Sequence, residues 1–451
     1  MRSRALPRRL IVAAALGCSL LAGCGTQAQP PGAPGSAPDP APGIVHVPED
    51  AATISDAVTR VAEGGLVLVG PGVYTEEVRI TTPDVTLRGL DRNTTVIDGE
   101  GTRSFGVVGA ADGVRVENLT VRSTLFYGVL VTSVHGDDGP LAHGGPGYTR
   151  LDPEKFPPLE RFGVSHVTAS NNGLYGIYAF NARHGSITDS YASGSADSGI
   201  YVGQCEECDV LVASNVAERN AVGFENANAS DSVVVAGNRF SGNRIGMTLL
   251  SSYQEAFTPQ RANTVVGNLV AGNTSAESPA HALGGFGVGV GITGGQANEL
   301  TRNRIAGNPL AGVQLSNAED IAAQDNRLVT NAFGGNGVDL LDTSAQRTPS
   351  SGTCVDPAGG EGPSTALPPA LLDATCPDGT GAQGGVTDGV PAVEVPPGTS
   401  FLDVPAPPEQ PSLPDPEQVP EPLPASVDVP DLAGFGLPDP GFLADRAGTA
   451  P

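Results

Sequence analysis

Two groups of residues in this chain have the types and spacing to do chemistry. The first lies in VHGDDGPLAHGGPGYTRLDPEKFPPLERF (134–162), which carries His135, Asp137, Asp138, His143, Tyr148 and Arg161, with Arg183 and His184 downstream. A carboxylate pair between two imidazoles can hold a divalent cation, or can supply an acid and a base. Gly-driven turns with polar side chains also describe a plain surface loop, and both readings stay open. The second group is a series. Leu130, Tyr178, Tyr201, Glu225, Thr248, Gly291, Gln314 and Asp339 each stand two residues after a glycine that precedes an apolar–x–apolar triplet. Five residues after the same glycines stand Ser133, Asn181, Gln204, Asn228, Ser251, Gly294, Asn317 and Asp342. Tyrosine rings can cover the apolar faces of sugars while amides bond their hydroxyls, so Tyr178, Tyr201, Asn181, Gln204 and Asn228 form a candidate binding stripe. The competing reading is a solvated strand face with two tyrosines stacked for packing.

The elements that must position these residues repeat. The glycine-led triplets are GVLV (128–131), GIYA (176–179), GIYV (199–202), GFEN (223–226), GMTL (246–249), GVGI (289–292), GVQL (312–315) and GVDL (337–340). Upstream of several runs Asn-x4-Asn: Asn215/Asn220, Asn238/Asn243, Asn268/Asn273, Asn303/Asn308 and Asn326/Asn331. Several intervals are 23 residues, among them 176 to 199, 223 to 246 and 289 to 312. Longer intervals mark insertions near 134–161 and 274–286. A unit of that length, built of short alternating strands with Gly and Asn at the bends, predicts one coil of a right-handed parallel β-helix, an all-β solenoid. Its coils stack at roughly 4.8 Å. Asn at a bend can bond to Asn of the next coil and tolerates left-handed backbone. The residue after each glycine is apolar throughout, which puts it inside and the next one outside. Propellers need longer units and leucine-rich repeats need a leucine lattice, and neither is present.

Before the repeats, Thr53-Ile-Ser-Asp56 has the form of a helix N-terminus, with Ile54, Ala57, Val58, Val61 and Ala62 on one face. A short helix there would cap the open end of the stack. Residues 1–23 read as a signal peptide: four arginines, the apolar run Leu10–Leu21, then Leu21-Ala22-Gly23-Cys24. That ending resembles a bacterial lipobox, which implies lipid on Cys24 and anchoring to the outer face of the cytoplasmic membrane. An ordinary signal peptide would instead leave the chain secreted. Residues 24–43 are a Pro/Gly/Ala tether, 44–344 the solenoid, and 345–451 a Pro-rich acidic tail expected to be disordered. In an exported chain Cys205 with Cys208, and Cys354 with Cys376, are expected as disulfides. A formal charge of −25 excludes nucleic acid as a partner.

Residues 44–344 resemble the pectate-lyase-like parallel β-helix superfamily, through TISDAVTRVAEGGLVLVGPGVYTEEVRI and the coils GVRVENLTV and VVVAGNRFSGNRIGM. That superfamily includes carbohydrate-binding and sugar-hydrolysing β-helices and the accessory proteins of nitrous oxide reductase. The resemblance implies an envelope polysaccharide as ligand. If there is turnover, it would be by a lyase or glycoside hydrolase. For a lyase it implies Ca²⁺ held by Asp137, Asp138 and Glu225, with His135 beside them and Arg183 as base. Hydrolases of the superfamily carry aspartate pairs or trios on adjacent coils. Asp137-Asp138 departs from this by lying in an insertion. Copper, suggested by the accessory branch, is disfavoured because soft ligands are scarce: two Met in all, one of them Met1. The alternative is a structural or assembly scaffold whose side or acidic tail contacts another envelope protein.

Overall fold

The computed structural model turns every glycine-led triplet but the last into the third strand of a coil. It describes residues 41–449 apart from 137, 138, 141–149, 358–360, 380, 382 and 383. Cys24, Asp137, Asp138, His143 and Tyr148 therefore lie outside the described residues. Among those described, three parallel sheets run the length of the stack. Sheet A has 12 strands, from Ile44–Val47 to Cys354–Asp356. Sheet B has 10, from Gly72–Tyr74 to Ala332–Gly334, and sheet C has 11, from Val78–Ile80 to Ala366–Leu367. The chain is an all-β parallel β-helix. No helix among the described residues is long and apolar enough to cross a membrane.

The repeat sets the register of sheet C. Val129, Ile177, Ile200, Phe224, Met247, Val290 and Val313 pair in sequence and fill the central core. The glycines before them sit against the asparagine column. A Cβ on Gly223 would stand 2.5 Å from the carbonyl oxygen of Gly246 and 2.7 Å from Asn243 Nδ2, so only hydrogen fits. The asparagines stack as expected, in three columns rather than two. Asn215, Asn238, Asn268, Asn303 and Asn331 form one, and Asn220, Asn243, Asn273, Asn308 and Asn336 a second. Asn298 and Asn326 belong to the third. Each donates Nδ2 to the next Oδ1 at 2.9–3.3 Å, satisfying buried amides that the bends leave without a ladder.

The last repeat is displaced by two residues. Val313 pairs with Leu340, so Gln314 is followed outward by Leu341 and not by Asp339. Asp339 instead accepts from Asn336, Ser364 and Thr365 at the bend, and Asp342 is buried against Ser344 and Ser350. At the other end, α1 (Ile54–Arg60) is capped by Thr53, which accepts from Asp56 N at 3.1 Å, and it buries Ile54, Ala57 and Val58 in the core. Disulfides join Cys205 to Cys208 and Cys354 to Cys376.

The tail departs from its expected disorder, and the solenoid runs past 344 to Ala366–Leu367. Its described residues 396–449 are an extended strap laid on sheets A and B. From Pro396 the strap runs over sheet B to Arg92 and Arg88, which donate to Pro411 O, Pro416 O and Gln418 O. It then returns over sheet A, where Val427, Val429, Leu432 and Phe435 pack on Leu211, Ala213, Val234, Ala236 and Val266. Arg302, Arg304 and Arg239 donate to Leu432 O, Pro438 O and Phe442 O. The end is clasped by Glu218, fully buried, which accepts from Gly448 N, Thr449 N and Tyr191 Oη at 2.6–2.9 Å. Composition alone does not reveal this. A proline-rich segment has carbonyls to satisfy and few N–H groups of its own, and here arginines on the solenoid supply the donors.

Candidate functional site

The outward column of sheet C is continuous in register: Val108, Leu130, Tyr178, Tyr201, Glu225, Thr248, Gly291 and Gln314. Its first half is covered. Tyr178 and Tyr201 are 4% and 1% exposed, in a second apolar cluster with Tyr127, Tyr175 and Phe180 beneath Leu151, Phe156, Ala256 and Phe257. Ring centroids lie 4.3 Å apart for Tyr175–Tyr178 and 4.6 Å for Tyr178–Tyr201. The tyrosines face outward as the period requires, but two loops spend their surface on packing. They present no open stacking platform to a sugar.

The amides are spent in the same way. Asn181, Gln204 and Asn228 take left-handed backbone at the bend after sheet C and are fully buried. Asn181 donates to Ser133 Oγ and Phe156 O at 2.7 and 2.9 Å. Asn228 donates to Ser252 O, Ala256 O and Thr258 Oγ1, each at 2.8 Å, and Gln204 accepts from Ala256 N. These side chains hold Ser133, Phe156 and the loop 251–263 by hydrogen bonds within the chain.

Arg183 does not reach Glu225. It lies on sheet A in Ala182–Thr188, paired at 2.7 Å with Glu160 of the neighbouring strand. His184 beside it stands 2.9 Å from Asp209. His135 lies on a two-residue antiparallel strand and lines a cavity of about 370 Å³ with Asp112, Lys155 and Phe156.

Glu225 is where chemistry gathers, with partners the repeat did not predict. Its carboxylate accepts from Ser198 Oγ at 2.9 Å, and Ser198 also contacts Asp197, whose Oδ1 is 3.4 Å from His281 Nε2. His281 comes from the 274–286 insertion and Glu255 from the 251–263 loop. Burial, with Asp197 adding repulsion, pushes the Glu225 carboxyl up to about 7. Burial also pushes Glu255 up to about 8, reinforced by Glu225 and Asp197 and opposed by its contact with the Tyr201 hydroxyl. Burial disfavours the His281 imidazolium, but Asp197 and Glu225 outweigh it and raise its pKa above the ordinary imidazole value. Groups poised near neutrality, side by side with an imidazole–carboxylate pair, can donate and accept protons in one place. The repeat marks Glu225 as the acid at the centre of the outward column. Only the insertion's length hinted at His281, and nothing periodic pointed to Glu255.

Past Glu225 the column opens. Thr248, Gly291 and Gln314 are half-buried, and Tyr253 and Leu283 of the flanking loops are 47% and 89% exposed. Tyr253 meets Asp320 on the strand-end side. The result is a bare strip of sheet with an acidic, loop-covered head.

A family model described as "Periplasmic copper-binding protein (NosD)" matches residues 54–276, just under half of the chain, from α1 through Glu255 but short of His281. The described residues do not suit copper: Met247 is sealed in the core, and Cys205, Cys208, Cys354 and Cys376 are in disulfides. No group of three or more His, Cys, Asp or Glu among them is placed to hold a metal ion. No curated protein matches the chain in sequence. Among solved structures, the A-module of Azotobacter vinelandii mannuronan C-5 epimerase AlgE4 is 16% identical over 65% of this chain and 86% of its own, with a TM-score of 0.43. Pectate lyase Pel9A is 14% identical over 55% and 68%, at 0.37. Tailspike protein 2 from the Escherichia coli O157:H7 bacteriophage CAB120 is 11% identical over 67% and 40%, at 0.46. The chain is a parallel β-helix similar over residues 54–276, just under half of its length, to the NosD family, and its chemistry has to be read from its own residues.

Proposed function

We propose that this chain is an extracytoplasmic β-helix that binds an extended polysaccharide along the outer face of sheet C. Proton transfer at Glu225 and Glu255 then acts on the bound chain. One observation carries the reading: the outward column passes from a buried acid–imidazole cluster straight onto the half-buried strip Thr248–Gly291–Gln314. A solenoid offers a long straight face to a long straight ligand, and the cluster sits at one end of it. The periplasmic description of the matching family agrees with export, and the Leu-Ala-Gly-Cys24 ending with a lipid anchor. Loss of lipid labelling in Cys24→Ser would support that anchor, and unchanged labelling would remove it.

Gly291 provides the test of the site. A Cβ there meets only Thr248 Cγ2 at 3.6 Å and Met247 O at 3.9 Å, ordinary contacts, so a large side chain can stand on the strip without disturbing the coil. The full chain and Gly291→Trp are to be compared for retention on neutral, amine-bearing and carboxylate-bearing polysaccharides, with release of new chain ends monitored. Retention lost at least tenfold in Gly291→Trp, and turnover lost in Glu225→Gln, is the expected result. Equal retention by both proteins would remove the strip as the binding surface. A second reading, a scaffold that holds another envelope protein, is favoured by the strap, since a whole side of the solenoid already accommodates an extended polypeptide.

A further inference from the structure

The charges around the sheet C strip define the class of glycan it would take. This deepens the preceding reading and rests on it. Among the described residues, the charged neighbours of Glu225 and Glu255 are Asp197, His281 and each other, with no arginine or lysine. From Val108 to Gln314 the outward column carries no cation. The arginines on the bends flanking these strands are occupied. Arg244, 2% exposed, lies against the Phe286 ring at 5.1 Å and donates Nη2 to Pro396 O, leaving Nη1 buried without a partner, and Arg261 pairs with Asp231 and Glu206. On sheets A and B, Arg88, Arg239 and Arg304 are spent on the strap and Arg183, Arg122 and Arg327 are paired with acids. At its Glu225 end the strip therefore abuts a largely buried cluster of three carboxyl groups and one imidazole.

One atom in the cluster points toward a further donor: Glu255 Oε2 is buried without a hydrogen bond, although the carboxyl is in contact with the Tyr201 hydroxyl. A buried carboxyl oxygen without a partner is costly, and an ammonium group brings the N–H that it lacks and a charge that favours the ionised carboxyl. A carboxylate-bearing polymer would do the reverse, adding like charge to a low-dielectric site in a chain of formal charge −25.

We infer that the strip takes an amine-bearing glycan, with sugar ammonium groups received by Glu225, Glu255 and Asp197, and that it rejects polymers of uronic acids. An acidic protein attracts any polycation, so the test uses short oligomers in about 0.15 M salt, where diffuse attraction is screened beyond roughly 8 Å. Calorimetric titration of the full chain would compare a glucosamine hexamer, its N-acetylated counterpart and a galacturonate hexamer. It would be repeated on Glu225→Gln/Glu255→Gln, which alters the net charge by only two. The expected result is that glucosamine hexamer binds at least tenfold more tightly than the N-acetylated form, that this preference vanishes in the double variant, and that galacturonate does not bind. If the N-acetylated or galacturonate hexamer binds as well as the amine, and Gly291→Trp abolishes it, the class is overturned while the strip stands as a glycan site. A glucosamine preference that survives in the double variant overturns the assignment to these acids. Binding of none of the three rejects the glycan reading as well.

Discussion

Glu225 and Glu255 make the stability of this protein depend on pH in a defined direction. Their carboxyls sit at about 7 and about 8 in the folded chain against an ordinary value of 4.5. The native state therefore holds protons that the unfolded chain has already released. Their contribution is fully present below about pH 4.5 and is lost as pH rises through 7 to 8. Glu255→Gln is neutral at every pH. It should melt with the parent near pH 5 and above it at pH 8.5, by roughly 1–3 °C for a chain of this size. Thermal scans across that range check this, and a variant that melts below the parent at pH 8.5 would contradict the assigned burial. At this scale the sequence was partly legible. Periodicity places Glu225 and Tyr201 on the outer side, because a strand alternates. It cannot say whether a loop from another coil lies on top, and so leaves open whether Tyr178, Tyr201, Gln204, Asn181 and Asn228 face a ligand or pack, as they do here. Glu255 and His281 sit in loops with no period, so nothing in the chain assigned them a place.

At the scale of the coil, the asparagine and glycine columns act as one element. Asn243 accepts from Asn220 N and Nδ2 at 3.1 Å and donates to Ala217 O at 2.8 Å, all in the interior. Asn243→Ala leaves these groups unpaired, at a cost of about 2–4 kcal/mol. Gly223→Ala forces a methyl into the Gly246 carbonyl and should cost about 1–3 kcal/mol. Urea unfolding checks both, and a loss under about 0.5 kcal/mol for either would mean that the column can relax. The coil was the most legible part of the sequence, because stacking requires the same residue type at the same place in every turn. It failed once, at NGVDLLD (336–342), where the glycine before the triplet does not occupy the structural glycine position and the frame slips by two.

At the scale of the whole molecule, the strap turns an acidic, proline-rich end into the cover of an arginine-lined face. Its disorder was inferred from its own composition, and the missing terms were donors and apolar surface on the solenoid. Glu218→Ala removes the clasp on Gly448 and Thr449, so amide hydrogen exchange at 440–449 should quicken at least tenfold while the coils stay protected. Equal exchange in both proteins would mean that the strap is held elsewhere. With the strap laid on sheets A and B and loops on the first half of sheet C, the strip Thr248–Gly291–Gln314 is the part of sheet C left open for a ligand. Its occupation can be read directly by amide exchange of the full chain with and without about 1 mM glucosamine hexamer. The account predicts slower exchange in Ile245–Leu250, Val288–Thr293 and Ala311–Ser316 and in the loops 251–263 and 274–287, with 396–449 unchanged. Protection confined to the strap and sheets A and B, or no protection at all, would contradict it.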